Sequence, residues 1–171
     1  MKKLDNQRLA VLVDAENLEI YAWNTFRRPV DYKALFEAVN GREVVRAVYF
    51  RPRECPPRLQ TFLEEGLGVE VKLPAKNVDT WLTITAVTLA EKVDTIALVG
   101  GDGDYAPLAW YLKSKGCKVE VWSWPGATAA ALREAADEFR PLNEKVLLQR
   151  IEKVQPTFHT EPSENAADVI Q

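Results

Sequence analysis

Short apolar runs alternate with stretches of helical spacing along most of this chain, and the alternation predicts strands and helices in turn. Leu9 to Val13 is a continuous apolar run of strand length, the pattern of a strand buried on both faces. Residues 15–26 have helical spacing, and Pro29 marks a break after them. Asp31 is a favoured N-cap for a helix through about Val39, which Asn40-Gly41 ends. Val44 to Phe50 is a second strand. Pro56-Pro57 opens a helix to Gly66, because proline suits a first helical turn. Val69 to Leu73 is a third strand, and Thr95 to Val99 a fourth. Between them a helix runs from Asp79 to Lys92, with Trp81, Ile84, Thr85, Thr88 and Leu89 at helical spacing. Tyr105 to Lys115 is a helix stopped by Gly116, Lys118 to Trp122 a fifth strand, and Ala127 to Glu138 an alanine-rich helix. Phe139 to Leu142 adds a short edge strand, and Asn143 caps a last helix to about Val154.

Strands alternating with helices imply βαβ units and a mainly parallel sheet of five or six strands, covered on both faces. Residues 1–154 read as one domain. Residues 155–171 contain Pro156, Pro162 and scattered acids without periodicity, which predicts a flexible acidic tail. No internal repeat is evident.

Composition narrows the function classes. Hydrophobic content of 47% and charged content of 27% in 171 residues are ordinary for a soluble globular protein. No apolar run approaches the roughly 20 residues that span a bilayer, and the N-terminus has no signal-peptide core, so the expected location is cytoplasmic. Cys55 and Cys117 are too few for a zinc site or a disulfide framework; Cys117, beside a strand, reads as a small core residue. His159 is the only histidine and lies in the tail, which argues against a histidine-based triad. The net charge of −3 comes from Glu161, Glu164 and Asp168; the body before them is formally neutral. Neutrality argues against nonspecific coating of nucleic acid but not against a local basic rim.

Three of the apolar runs lead into aspartates at the start of a helix. The first strand ends at Asp14, the third reaches Asp79 after a short loop, and the fourth runs through Gly100-Gly101 into Asp102 and Asp104. In a parallel α/β sheet all the carboxyl ends lie on one edge, where ligands bind. Acids converging there repel unless a cation sits among them, and oxygen-only ligands suit Mg²⁺ or Mn²⁺. Metal-assisted phosphoryl chemistry is the leading reading. Each acid also has a simpler explanation, since aspartate caps helix N-termini; that explanation is stronger for Asp14 and Asp79 taken singly than for Asp102 and Asp104. The glycines of Gly100-Gly101-Asp102-Gly103-Asp104 would let backbone approach a ligand closely. This turn lacks the Lys-Ser/Thr ending of a P-loop.

Several segments resemble NYN domains, the LabA-like branch of PIN-like nucleases. Val13-Asp14-Ala15-Glu16-Asn17 is similar to the family's Asp-x-x-Asn opening, and Lys76-Asn77-Val78-Asp79 to its Lys-Gly-x-Asp segment. Val99 to Leu108 resembles its Ser-Gly-Asp-x-Asp-Phe-x-Pro-Leu block, and Leu132 to Phe139 its Leu-x-x-x-Ala-Asp-x-Phe helix. The resemblance spans residues 8–142 in order. It implies a three-layer αβα, Rossmann-like (PIN-like) fold and divalent-metal-dependent RNA cleavage, with Asp14, Asp79 and Asp102 as metal-binding acids and Asn17 and Asp104 as neighbours. Asn77 replaces the usual glycine, Gly100 the usual serine, and Ala129 stands where serine is common.

The expected chemistry is phosphodiester hydrolysis. Mg²⁺ or Mn²⁺ on Asp14, Asp79 and Asp102 would bind a phosphate oxygen and lower the pKa of a bound water. Asp104 would orient that water, and Asn17 would donate to phosphate or to a carboxylate. Arg51, Arg53 and Lys76 follow strands on the same edge and are candidates to grip an RNA backbone. Trp124, and after it Trp122 and Tyr105, are candidates to stack on unpaired bases; Trp122 also ends a strand, which favours the core, and Trp81 and Trp110 read as helix core. RNA is the expected partner, a homodimer is compatible with the reading, and no membrane is expected. A rival from another class is a module with the same fold and slow or absent cleavage, binding RNA or protein. Phosphatase and Toprim-like sites rank lower. The first strand gives Asp14-Ala15-Glu16 where a haloacid-dehalogenase site needs Asp-x-Asp, and a Toprim site would open with glutamate.

Overall fold

The structure is a computed structural model and describes residues 7–39 and 41–149. Its centre is a six-stranded sheet of β1 (Arg8–Asp14), β2 (Glu43–Phe50), β3 (Glu70–Lys72), β4 (Thr95–Val99), β5 (Lys118–Ser123) and β6 (Glu138–Pro141), in the order β3-β2-β1-β4-β5-β6. Every neighbouring pair is parallel. The order reverses between β1 and β4, so the carboxyl ends of these two strands flank the switch point where ligands bind in doubly wound sheets.

Alternation along β1 assigns its two faces. Leu9, Val11 and Val13 enter one core cluster with α1 (Ala15–Phe26) and α2 (Tyr32–Val39). Ala10 and Leu12 enter the other, with α4 (Val78–Leu89), α5 (Ala106–Ser114) and α6 (Ala130–Ala135). A sheet buried on both faces explains why its central strands read as unbroken apolar runs. Among the described residues no helix is long and apolar enough to cross a membrane. Cys117 is buried, as its position beside a strand suggests.

Four expectations need correction. The segment from Pro56 to Gly66 is α3 (Pro57–Thr61) continued by a π-helical turn, Phe62–Gly66. The alanine-rich helix is only Ala130–Ala135. It ends early because Asp137 docks on β5: its N–H donates to the Val119 carbonyl (2.9 Å) and its carboxylate accepts from the Val119 N–H (2.8 Å). The helix expected from Asn143 is a single 3-10 turn, Glu144–Val146. Leu147 then bridges Val30, and Arg28 donates to the carbonyls of Leu147 (3.2 Å) and Leu148 (2.8 Å). Residues 150–154 of that helix, His159 and the predicted tail lie outside the described residues. Finally, Trp81 and Trp110 are not core: they are 50% and 53% exposed. α4 instead buries Leu82, Thr85, Ala86 and Leu89, a stripe offset from the one that centres on Trp81.

Candidate active site

Asp14 ends β1 and stands at the N-cap position of α1, yet its side chain makes no capping bond. It is 7% exposed, and the hydroxyl of Tyr105 donates to its Oδ2 at 2.9 Å. Burial pushes the carboxyl up to about 6; the Tyr105 bond opposes that rise, and the charges of Asp102, Glu16 and Asp79 add to it. Tyr105 is itself 2% exposed, and its hydroxyl is pushed up by burial and by the same three aspartates, Asp14, Asp102 and Asp79. The charges of Asp102 and Asp79 thus reach both Asp14 and Tyr105 across the switch point.

The capping explanation distributes differently from expectation. Asp102 is a true cap: its Oδ1 accepts from the Asp104 N–H at 2.9 Å, opening the 3-10 turn Gly103–Tyr105. Asp14, the better capping candidate on sequence, caps nothing. Asp79 sits exposed in the first turn of α4, where a negative charge suits the helix dipole. Asn77 caps that helix with φ 56, a left-handed backbone that asparagine tolerates better than most residues and that glycine takes freely. The replacement of the resemblance's glycine at this position thus preserves the turn.

The glycine-rich loop also acts otherwise than expected. A Cβ on Gly101 would lie 2.2 Å from the Ala127 carbonyl and 2.7 Å from Ser123 Oγ. The close approach is made by the chain's own β5–α6 connection, not left open for a ligand. The Ala129 N–H donates to the Gly101 carbonyl at 2.9 Å, and this contact fixes the loop that carries Asp102.

The expected substrate groups divide. Arg53 and Lys76 are exposed on the loops after β2 and β3. Arg51 is half-buried and engaged: its Nη1 lies 3.2 Å from Glu19 Oε2. Asn17 is exposed in the first turn of α1, three residues beyond Asp14. Trp124 cannot stack on a base. It is 2% exposed, donates its indole N–H to the Leu18 carbonyl at 3.1 Å, and stacks on Tyr21 with ring centroids 6.0 Å apart. Its short distance after β5 in sequence hid the cavity under α1 that it fills. Tyr105 is likewise too buried to stack, and it holds Asp14 instead, a role that no local sequence signal announces. Partly buried Trp122 packs against the core with its indole N–H on Glu120 (3.2 Å).

None of Asp14, Asp79, Asp102 and Asp104 is paired with lysine or arginine among the described residues. An uncompensated, oxygen-only acid cluster has the donor chemistry that Mg²⁺ or Mn²⁺ takes. The side chains do not close on such an ion as they stand: among the described residues, no group of three His, Cys, Asp or Glu is spaced to hold one.

Comparison with known proteins agrees with this architecture. The NYN domain model matches residues 8–143. An uncharacterized protein of Methanocaldococcus jannaschii, MJ0482, is 27% identical over 153 residues, covering 87% of this chain and 61% of that protein. The low amplitude and bright protein LabA of Synechococcus elongatus is 31% identical over 81 residues, 47% of this chain and 44% of LabA. The chain thus spans less than two thirds of the length of either relative. The crystal structure of a Vibrio parahaemolyticus protein of unknown function, VPA0982, superposes with a TM-score of 0.76 at 28% identity, covering 86% of this chain and all of that one.

Proposed function

The chain belongs to the NYN domain family, whose members suggest nuclease-type activity, and from that premise we propose that it hydrolyses RNA phosphodiesters with the help of Mg²⁺ or Mn²⁺. The observation that carries the reading is Asp14: a carboxylate sealed from solvent, pushed up to about 6, beside further acids and without a cationic partner. A fold keeps such an unfavourable cluster where something supplies the missing positive charge.

Asp14, Asp79 and Asp102 would hold the ion. Such an ion would supply positive charge to a phosphate oxygen and lower the pKa of a nearby water. The remaining work falls to the chain. Tyr105 fixes one oxygen of Asp14, leaving the other available. The Asp104 N–H fixes one oxygen of Asp102 in the same way. Asp79, exposed at the first turn of α4, would turn inward to complete the set. Lys76, exposed on the loop after β3, attracts a phosphate beside the edge. Asn17 offers an amide to the scissile phosphate, and the Asp104 carboxylate takes the role of orienting water. The alternative is a module that binds RNA or protein without cutting; the fact that favours it is that no three acids are spaced for one ion.

A labelled mixture of RNAs is incubated with the protein, with and without Mg²⁺ or Mn²⁺. The hydrolase reading expects metal-dependent products that Asp102→Asn reduces by at least about a hundredfold. If parent and variant both leave the RNA intact while still retaining it on a filter, the binding module replaces the enzyme.

A further inference from the structure

Beside the acidic edge, a cleft of about 530 Å³ opens between α1 and the loop after β2, a volume within the usual range for small-ligand sites. α1 lines it with Glu16, Glu19 and Ile20, which share one helix face. The loop supplies Arg51, Arg53 and Glu54.

The floor is already satisfied. The hydroxyls of Tyr32 and Tyr49 both donate to Glu19 Oε1, at 2.6 and 2.7 Å, and Arg51 Nη1 lies 3.2 Å from Oε2. The rim is not. Glu16, Arg53 and Glu54 are exposed, and none forms an ion pair among the described residues. The loop that presents them is pinned: the Arg51 N–H donates to the Lys72 carbonyl (3.1 Å), Arg53 to Pro74 (2.9 Å) and Glu54 to Pro52 (2.9 Å). Arg53 adopts φ 67, a conformation that costs a non-glycine residue energy and persists only where neighbours enforce it. The cleft is a preorganised shape with unmet donors and acceptors at its mouth.

Its charges select the ligand. Three carboxylates against two guanidiniums, next to an acidic edge, repel a phosphate. They suit a neutral group that donates to a carboxylate and accepts from a guanidinium. Among the bases only guanine presents two adjacent donors, N1–H and the exocyclic amine, together with the O6/N7 acceptor pair that arginine reads in bidentate fashion. Adenine and cytosine set an acceptor beside their amine, and uracil flanks its one donor with two acceptors.

We propose that this cleft receives one unpaired guanine of the RNA strand, with Glu54 or Glu16 accepting from its Watson–Crick edge and Arg53 donating to O6 and N7. The inference rests on the hydrolase reading for its substrate class. It makes cutting selective for sites next to a guanine, since Glu16 lies two residues from Asp14.

Guanosine, inosine and adenosine are titrated into the intact chain in EDTA and followed by amide chemical shifts. Guanosine should bind at least about tenfold more tightly than adenosine, with inosine, which lacks the exocyclic amine, between them. Arg53→Met, and Glu54→Gln combined with Glu16→Gln, should each bring the guanosine-to-adenosine ratio close to one. Equal affinities, or shifts that avoid Glu16 and Glu54, overturn the proposal. The titration contains neither divalent ion nor RNA, so the two readings fail separately. Selective guanosine binding by a chain that cuts no RNA removes only the hydrolase; RNA cleavage indifferent to guanine removes only the pocket.

Discussion

Glu120 and Asp14 are carboxylates of the same sheet, both nearly sealed from solvent, and they meet opposite conditions. Glu120 is 1% exposed on β5, where Arg42 grips it with two 2.8 Å bonds and the Trp122 indole adds a third at 3.2 Å. Lys118 lies 3.5 Å away. Burial pushes this carboxyl up, but its donors outweigh burial and the net shift is downward. Asp14, two strands away at the carboxyl edge, has one neutral donor and three acidic neighbours, and its net shift is upward. Two further sheet acids side with Glu120: Glu70 lies 2.6 Å from Arg46, and Glu138 pairs with Lys118 and Arg140. Among the sheet acids that are not exposed, compensation is the rule, and it stops at the switch point. That contrast, more than any single motif, is what supports the proposal that the edge is the working face.

The largest effect is expected from breaking the compensated side. Arg42→Ala leaves Glu120 buried with only Lys118 and Trp122 beside it. Stranding a buried charge costs about 3–5 kcal/mol, and the two remaining partners place this case at the lower end. Urea denaturation at pH 7 measures it. A loss below about 1 kcal/mol would mean that Glu120 is protonated or hydrated in the parent and that the contrast is overstated.

The converse experiment removes the uncompensated charge. The folded-state pKa of Asp14 is raised to about 6, from an ordinary 3.8. Below about pH 4 both folded and unfolded forms are protonated, so the group costs nothing. Between about 4 and 6 the folded form keeps the proton that the unfolded form has lost, and stability falls. Above 6 the full penalty stands, on the order of 3 kcal/mol at 1.36 kcal/mol per unit. Asp14→Asn removes it while keeping an acceptor for Tyr105. In EDTA the variant should therefore be more stable than the parent by up to about 3 kcal/mol at pH 7–8, with the gain fading towards pH 4. A variant less stable than the parent at pH 8 would show that Asp14 has a cationic partner in solution.

Added cation should do the same work by mass action. At ten times its dissociation constant, Mg²⁺ or Mn²⁺ stabilises a folded protein that alone binds it by about 1.4 kcal/mol. Thermal melts should rise with metal in the parent and much less in Asp102→Asn. Equal shifts in both would place the bound ion elsewhere.

The sequence carried this contrast unevenly. The strand runs and the three acid-bearing strand ends were legible, because burial on both faces writes itself as unbroken apolar runs and parallel topology gathers strand ends on one edge. Helix faces were less so: Trp81 and Ile84 share helical spacing with buried residues, and size alone drew them inward. Trp124 was misplaced because its cavity is made by Leu18, Tyr21 and Phe26, about a hundred residues earlier. Tyr105 looks like a stacking group on sequence because its partner, Asp14, lies 91 positions away. The Glu19–Tyr32–Tyr49–Arg51 floor joins three segments far apart in sequence, and no local pattern announces it.

The smallest effect isolates what burial contributes to compensation. Asp94 is a compensated acid too, but a half-exposed one. Its Oδ2 accepts the Arg8 backbone N–H at 2.8 Å, and the Arg8 guanidinium lies 3.7 Å off, with the two side chains 50% and 47% exposed. Solvent screens such a pair, and exposed pairs contribute about 0–1 kcal/mol. The backbone bond does not depend on what residue 8 carries. Arg8→Gln should then change stability by no more than about 0.5 kcal/mol, with little dependence on salt, whereas Arg42→Ala costs several times as much with the same loss of one cation. If the two substitutions cost the same, ion pairing rather than burial sets the energetics. The raised carboxyl of Asp14 would then follow from its acidic neighbours alone, and its value should fall when Asp102 or Asp79 is neutralised.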